Sequence, residues 1–207
     1  MRRPWDEFYK AKLTHILSNT RSLLDVGGGL RIDPSRNNRV DERNHWIREI
    51  IKARNIAYKI LDYVDTYHPD IVGDIQNLPL ADASQEAIVC NAVLEHVENP
   101  SRAAGEMYRV LKKGGYCFVY VPFLYYYHAE GGYYGDYWRF TPDALRAMFK
   151  PFSVIEIQPV RGALETLTKL TPLGKWSFFA NVAYLLDCAT GKLHSKQVSG
   201  YFVYLQK

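Results

Sequence analysis

Short apolar runs recur along this chain, with longer helix-patterned stretches between them. SLLDV (22–26), IAYKILD (56–62), DIVGD (70–74), a run ending near Asn91, YCFVYVP (116–122), FSVIEIQ (152–158) and GYFVYLQ (200–206) all read as strands. Runs that are apolar at nearly every position belong to strands buried on both faces, which are those of a covered parallel sheet. The stretches between them have a helical period. Trp5, Phe8, Tyr9, Leu13 and Ile16 share one face of a helix over 5–18, and Trp46, Ile47, Ile50 and Ile51 do so over 46–54. Asn99 is placed to N-cap a third helix with Pro100 in its first turn and Gly114–Gly115 closing it. Thr141 and Pro142 open a fourth with Leu145, Met148 and Phe149 inward. The alternation predicts an α/β domain with a seven-stranded, mostly parallel sheet and helices on both faces.

At 207 residues, without repeat, low-complexity tract or linker, the chain reads as one domain over 1–207. It is 47% hydrophobic and 23% charged, a globular profile, and its formal charge of +4 shows no basic cluster of the kind that tracks nucleic acid. Cys90, Cys117 and Cys188 lie far apart and read as buried small hydrophobes in a reducing compartment, not as a disulfide frame or zinc knuckle. The N-terminus has no apolar core of a secretory signal, so the expectation is cytoplasmic. WSFFANVAYLL (176–186) is too short to span a bilayer and reads as a core or surface-docking helix. The wider apolar stretch 163–187 suits a cover for a binding mouth, a partner contact or a membrane-surface contact equally well.

The first apolar run stops at three glycines, Gly27, Gly28 and Gly29. A glycine turn after the first strand lets backbone N–H groups come close to a ligand at the carboxyl end of the sheet. Against the dinucleotide fingerprint G-x-G-x-x-G, Gly27 and Gly29 fit but the third position is Ile32, which weakens a pyrophosphate reading. Asp25 precedes the turn, where it could receive a ligand ammonium or orient the loop. Asp62 and Asp74 finish the next two runs. Three acids at three consecutive strand ends suit a ligand with an amine, two hydroxyls and an exocyclic amino group but no phosphate. S-adenosylmethionine (SAM) is such a ligand.

LLDVGGG, GDIQNLPLADASQEAIVCNAVLEHVENP, EMYRVLKKGGYCFVYVP and YWRFTPDALRAMF, in that order and spacing, resemble the successive motifs of class I SAM-dependent methyltransferases, in particular the type-11 group that includes quinone-biosynthesis methyltransferases. The resemblance runs from about Leu23 to Phe149 and implies a Rossmann-like fold with SAM as cofactor and S-adenosylhomocysteine as its product. It implies that Gly27, Gly28 and Gly29, with Asp25 beside them, line the methionine and ribose side. Asp62 would bind the ribose hydroxyls, Asp74 the adenine amino group, Ile75 the adenine ring, and Asn91 would lie under the methionine portion. The chain departs from the pattern at Arg31, which stands where the family has its third glycine, and in a long segment between the turn and Asp62, with Asp65 as an alternative ribose acid. Asp62 capping loop amides is the plainer alternative. Glu95 and His96 read as orienting the loop after the fourth strand.

PFLYYYHAEGGYYGDYWRFTP (122–142) follows the fifth strand, where substrate loops project from such a sheet. Its aromatic residues, Tyr127 and Tyr134 among them, suit a lid that excludes water and meets a sulfonium or a ring-bearing acceptor. His128 is the candidate base, Asp136 its orienting partner or a binder of substrate hydroxyls, and Arg139 a clamp for a carboxylate or phosphate. A metal set of His128, Glu130 and Asp136 lacks compact ligand spacing, so no metal is expected. The resulting expectation is methyl transfer to a small-molecule or sugar-containing acceptor, with no nucleic acid bound and no transmembrane segment. A nucleic-acid or protein methyltransferase and a non-catalytic SAM-binding module are the alternatives. NAVL after the fourth strand, in place of an NPPY-like tetrad, argues against methylation of base amino groups.

Overall fold

The computed structural model describes residues 3–36 and 40–207. Helix α1 (Pro4–Asn19) precedes strand β1 (Ser22–Val26) and buries Trp5, Leu13, Ile16 and Leu17. Helix α2 (His45–Ala53) and strands β2 (Ala57–Asp62), β3 (Ile71–Val72) and β4 (Gln85–Asn91) come next. They lead to helix α3 (Pro100–Val110) and strand β5 (Leu111–Pro122). The chain continues through α4 (Pro142–Met148), β6 (Val154–Val160), α5 (Ala163–Lys169), α6 (Ser177–Ala189) and β7 (Gly200–Gln206).

The sheet order is β3-β2-β1-β4-β5-β7-β6. Strands β1 to β5 pair in parallel, and β7 runs antiparallel between β5 and β6. The chain leaves β1 toward β2 on one side and returns to β4 on the other. That reversal opens a crevice beyond the carboxyl ends of β1 and β4, the usual ligand position in an open α/β sheet. Two apolar layers cover the sheet. One packs α3 and α4, through Met107, Leu145 and Phe149, on Ile88, Cys117 and Val119; the other packs α1 and α2, through Leu13, Ile16, Ile47 and Ile51, on Leu23, Val89 and Phe118.

Two helix starts follow the expected chemistry. Asn99 accepts from the Arg102 amide at 3.0 Å with Pro100 in the first turn, and Thr141 accepts from the Ala144 amide at 3.2 Å. Three expectations change. Helix α3 ends at Val110, and the strand already begins at Leu111, so Gly114–Gly115 lie within β5 and do not close the helix. Gly115 is held where a Cβ would meet the Glu86 and Lys112 carbonyl oxygens at 3.0 and 2.9 Å, a close approach that reads in sequence like a helix stop. Strand β3 has only two residues, so Asp74 does not end it but caps the short 3-10 turn Ile75–Asn77. Cys188 is exposed, while Cys90 and Cys117 are fully buried.

The apolar stretch beyond residue 163 forms a two-helix unit. The Asp187 carboxylate of α6 accepts from the amides of Leu164 and Glu165 at 2.9 Å each, supplying from a neighbouring helix the cap that Gly162 lacks. No helix among the described residues is long and apolar enough to cross a membrane.

Candidate active site

The glycine turn is shaped by what lies under it. Gly27 and Gly28 take left-handed φ of +75° and +59°, and the Gly27 amide donates to the Leu61 carbonyl of β2 at 2.7 Å. Gly29 sits against the end of β4, where a Cβ would come within 2.7 Å of the Asn91 carbonyl oxygen. Arg31 also adopts a left-handed φ of +51°. A glycine takes that conformation without strain, so Arg31 holds a backbone shape that a glycine would hold more easily. No helix begins directly after the turn; α2 starts at His45.

Asp25 lies wholly beneath this turn. Its Oδ2 accepts from the Tyr58 hydroxyl at 2.7 Å and the Leu30 amide at 3.1 Å, and its buried Oδ1 has no protein partner. Of the two roles expected for it, orienting the loop is the one its contacts perform. Burial pushes its carboxyl up to about 7, against the hydrogen bonds from Tyr58, Leu30 and Gly29.

Gly28, Arg31, Ile32, Asp62 and Tyr67 line one narrow crevice of about 300 Å³, counting space open to solvent. Asp62 is half-buried; burial raises its carboxyl pKa, opposed by the amides of Val64 and Tyr63. Asp65 is exposed at the start of a 3-10 turn, and of these two acids it is Asp62 that lines the crevice, as Asp33 also does. Asp74 accepts from the Gln76 amide at 2.8 Å, while Ile75 is buried in the core. Arg36 fastens the far wall, its guanidinium paired with Asp33 at 3.1 Å and Asp70 at 2.9 Å.

Across the glycine turn, β4 ends at Asn91, whose Oδ1 is buried without a partner. Ala92 follows with a left-handed φ of +54°, and Val93 packs against Gly27. The next residues form the 3-10 turn Leu94–His96. Glu95 is 1% exposed, and its Oε2 is another buried atom lacking a partner. Burial pushes its carboxyl up to about 8, partly countered by Arg139.

The loop 123–141 docks on this turn. The amides of Tyr137 and Trp138 donate to the Glu95 carbonyl at 2.7 and 3.2 Å, and the Trp138 indole donates to the Val97 carbonyl at 2.9 Å. This brings His128 to Glu95, with Nε2 3.9 Å from Oε1, and sets its ring edge-on to His96 at 4.8 Å. The Asp136 side chain is fully buried. It accepts from the His128 amide at 2.8 Å, lies 3.2 Å from His128 Nδ1, and takes both ends of the Arg139 guanidinium at 2.6 and 2.7 Å. The Arg139 guanidinium holds the Asp136 carboxyl well below the usual carboxylate range.

The structure thus brings the expected His128 and Asp136 together, but Arg139 serves a different end from the clamp expected. Besides Asp136, it donates to the Tyr126 carbonyl at 2.9 Å and the Trp138 carbonyl at 2.7 Å. Its donors are committed to holding the loop. Tyr134 packs on His96 at 4.3 Å between ring centres and donates to Glu130 at 3.0 Å, while Tyr127 is 75% exposed. Glu95 and His96, expected to orient the chain only, join the cluster itself. Their sequence signal was the acid–imidazole pair in LEH, and it lacked the third member, which comes from the far loop.

Both raised carboxyls have a thermodynamic consequence. Asp25 and Glu95 hold protons in the folded chain over a pH range in which the unfolded chain has released them. Unfolding free energy therefore falls as pH rises from the ordinary carboxylate range through about 7 to 8. Glu95→Gln removes one of these groups. Its melting temperature is expected to fall less than that of the parent between about pH 5 and pH 9. Equal slopes in the two proteins would mean that Glu95 is already ionised in the folded state.

Comparison with known proteins places this geometry. The chain aligns over nearly its whole length with solved structures of SAM-dependent methyltransferases. One, from Archaeoglobus fulgidus, has a TM-score of 0.61 at 16% identity and covers 97% of this chain and 94% of that one. Another, from Methanosarcina mazei, has a TM-score of 0.53 at 13% identity, covering 94% and 96%. The fold is that of the class I SAM-dependent methyltransferases. Within that class, residues 40–119 match the type-11 methyltransferase domain, so the resemblance read from the motifs holds. A curated relative, the malonyl-[acyl-carrier protein] O-methyltransferase of Pectobacterium atrosepticum, is 32% identical over 68 residues, covering 31% of this chain. The chain spans only 27% of that relative's length. The methyltransferase domain matched over 40–119, with the fold, implies S-adenosylmethionine as the cofactor.

Proposed function

We propose that the protein transfers a methyl group from SAM to a small-molecule acceptor, with the nucleoside crevice and the His128 cluster forming the two halves of one active site. The observation that carries this reading is the glycine turn with two orphaned acceptors beneath and beside it. A Cβ at Gly29 would fill the close approach to Asn91, while Asp25 Oδ1 and Asn91 Oδ1 are buried without protein partners. Such atoms are costly unless a ligand or water meets them. Asn91 Oδ1, at the end of β4, fits the amine of SAM, while Asp25 holds the turn from beneath.

When bound, SAM supplies a methyl group on a positively charged sulfonium, an excellent leaving group. Gly27, Gly28 and Gly29 would offer backbone to its methionine and ribose side, with Asn91 at the methionine end. Asp62 would accept from the ribose hydroxyls and Asp74 would meet the adenine edge, with Ile75, whose side chain is in the core, reaching the ring through its backbone. The protein's remaining tasks are to align the acceptor, exclude water and take a proton. Asp136 holds His128 through its amide and Nδ1, which leaves Nε2 as the proton acceptor. Tyr127 and Tyr134 would close over the acceptor as an aromatic lid, and the similarity to the Pectobacterium O-methyltransferase favours an oxygen acceptor. The free thiols suit a reducing compartment, and we read the protein as cytoplasmic.

Incubation with methyl-labelled SAM and panels of hydroxy and carboxy compounds, sugars, RNA and proteins tests the reading. Label should pass to a small molecule, and His128→Ala should slow that transfer by about 10²-fold or more while SAM binding persists. Label passing to RNA or protein alone would overturn the acceptor class. Unchanged turnover in His128→Ala would remove the base assignment.

A further inference from the structure

Besides the proton-accepting role, the buried end of the His128 loop carries the makings of a metal centre. The Nε2 atoms of His96 and His128 lie 4.0 and 3.9 Å from Glu95 Oε1, and one ligand atom from each of the three residues falls within 4.8 Å of the others. Two atoms each about 2.1 Å from one ion can be no more than about 4.2 Å apart, and in a tetrahedral site stand about 3.4 Å apart. Both histidine–glutamate pairs are inside the limit already, and a small closure of the rings would bring in the third.

The second layer is in place as well. His96 Nδ1 meets the Gly135 carbonyl at 2.6 Å, and His128 Nδ1 meets the Tyr126 carbonyl at 3.1 Å and Asp136 Oδ2 at 3.2 Å. A carbonyl or carboxylate on one ring nitrogen fixes the tautomer and turns the other nitrogen to the metal; zinc-bound histidines are held in this way. Glu95 Oε2 is buried and unpartnered, so the carboxylate has an oxygen with nothing of the protein to satisfy it.

We propose that Glu95, His96 and His128 bind one divalent transition-metal ion. Two imidazoles and one carboxylate suit zinc, cobalt, manganese or iron, with positions left open for an oxygen ligand. The ion would occupy His128 Nε2, so metal binding and proton acceptance exclude each other at that atom. The site goes beyond the methyl-transfer reading and is tested apart from it, in the absence of SAM.

The test uses chelator-treated, dialysed protein titrated with cobalt(II) and zinc(II), followed by the visible spectrum of cobalt and by calorimetry. The expected result is one equivalent of ion per chain with a spectrum typical of histidine and carboxylate ligation. His96→Ala and His128→Ala should each weaken binding by at least about 100-fold, and Glu95→Gln by at least about tenfold. Melting curves of the metal-free variants identify any that fail to fold. Cys188→Ser and His194→Ala, at exposed positions, should leave binding unchanged. The proposal is overturned if no ion binds more tightly than about 1 mM. It is also overturned if the folded His96→Ala and His128→Ala proteins bind as the parent does, or if Cys188→Ser abolishes binding.

Discussion

Gly29→Ala should abolish measurable SAM binding and lower stability by about 1–3 kcal/mol, the usual range for forcing a methyl into packed structure. The added Cβ would stand 2.7 Å from the Asn91 carbonyl oxygen and 2.8 Å from the Asn91 Cβ. Neither is the free end of a flexible side chain, so relief requires β1 and β4 to part at their carboxyl ends. That movement widens the sheet where the crevice is built and tilts the Gly27 and Gly28 amides. A loss of affinity of about 100-fold corresponds to about 2.7 kcal/mol, well within the reach of such a shift. Gly105→Ala supplies the contrast. It lies inside α3, with nothing within 4 Å of a built Cβ, and should stabilise the protein by about 0.5–1 kcal/mol with SAM affinity unchanged. Thermal melts and calorimetry with S-adenosylhomocysteine read both variants. Equal affinity in Gly29→Ala and the parent would place the cofactor elsewhere.

Asp136→Asn should have the second large effect, on turnover with little on cofactor affinity. The carboxylate is fully buried and joins His128 to Arg139. The amide that replaces it cannot meet both guanidinium nitrogens as an acceptor, and it offers His128 a weaker partner. Removing one member of such a pair leaves the other charge uncompensated. Arg139 keeps 26% of its side chain in water, so the loss of stability should stay near or below about 3 kcal/mol. Turnover should fall by about 10²- to 10⁴-fold, through the misplaced base and the loosened loop. S-adenosylhomocysteine binding should remain within a few-fold of the parent, since the proposed function puts Asp136 on the acceptor side. Loss of cofactor affinity in step with turnover would show that the loop is part of the nucleoside site.

The parts of this fold that were legible in the sequence are those governed by local rules. The runs from SLLDV to GYFVYLQ declare buried strands because the helical layers cover both faces of the sheet. Asn99–Pro100 and Thr141–Pro142 declare helix starts because their hydroxyl or amide caps the first free amides. Illegible parts depend on distant residues. The α5 cap comes from Asp187, and a reader of positions 160–170 alone finds no capping side chain there. Gly114–Gly115 looks like a helix stop because close approach to Glu86 and Lys112 leaves no mark in its own neighbourhood.

The site divides in the same way. The positions of Gly27 to Gly29, Asp62 and Asn91 at or just after strand ends were legible because the periodicity locates those ends. Arg31 shows the limit of a residue-by-residue match, since it holds a glycine's backbone conformation without being one. Arg139 was misread because its guanidinium can clamp a ligand or a neighbour, and only the fold shows Asp136 three residues away taking both ends. Glu95 and His96 became cluster members only when the loop from beyond β5 folded back onto them.

The most direct test is a crystal structure with S-adenosylhomocysteine. Density for the nucleoside should lie against Gly28 and Asp62, with its amino acid end over Asn91 and its sulfur facing the side of the crevice where His128 and Glu95 stand. Density elsewhere, or a crevice that remains filled by protein at saturating ligand, would contradict the account.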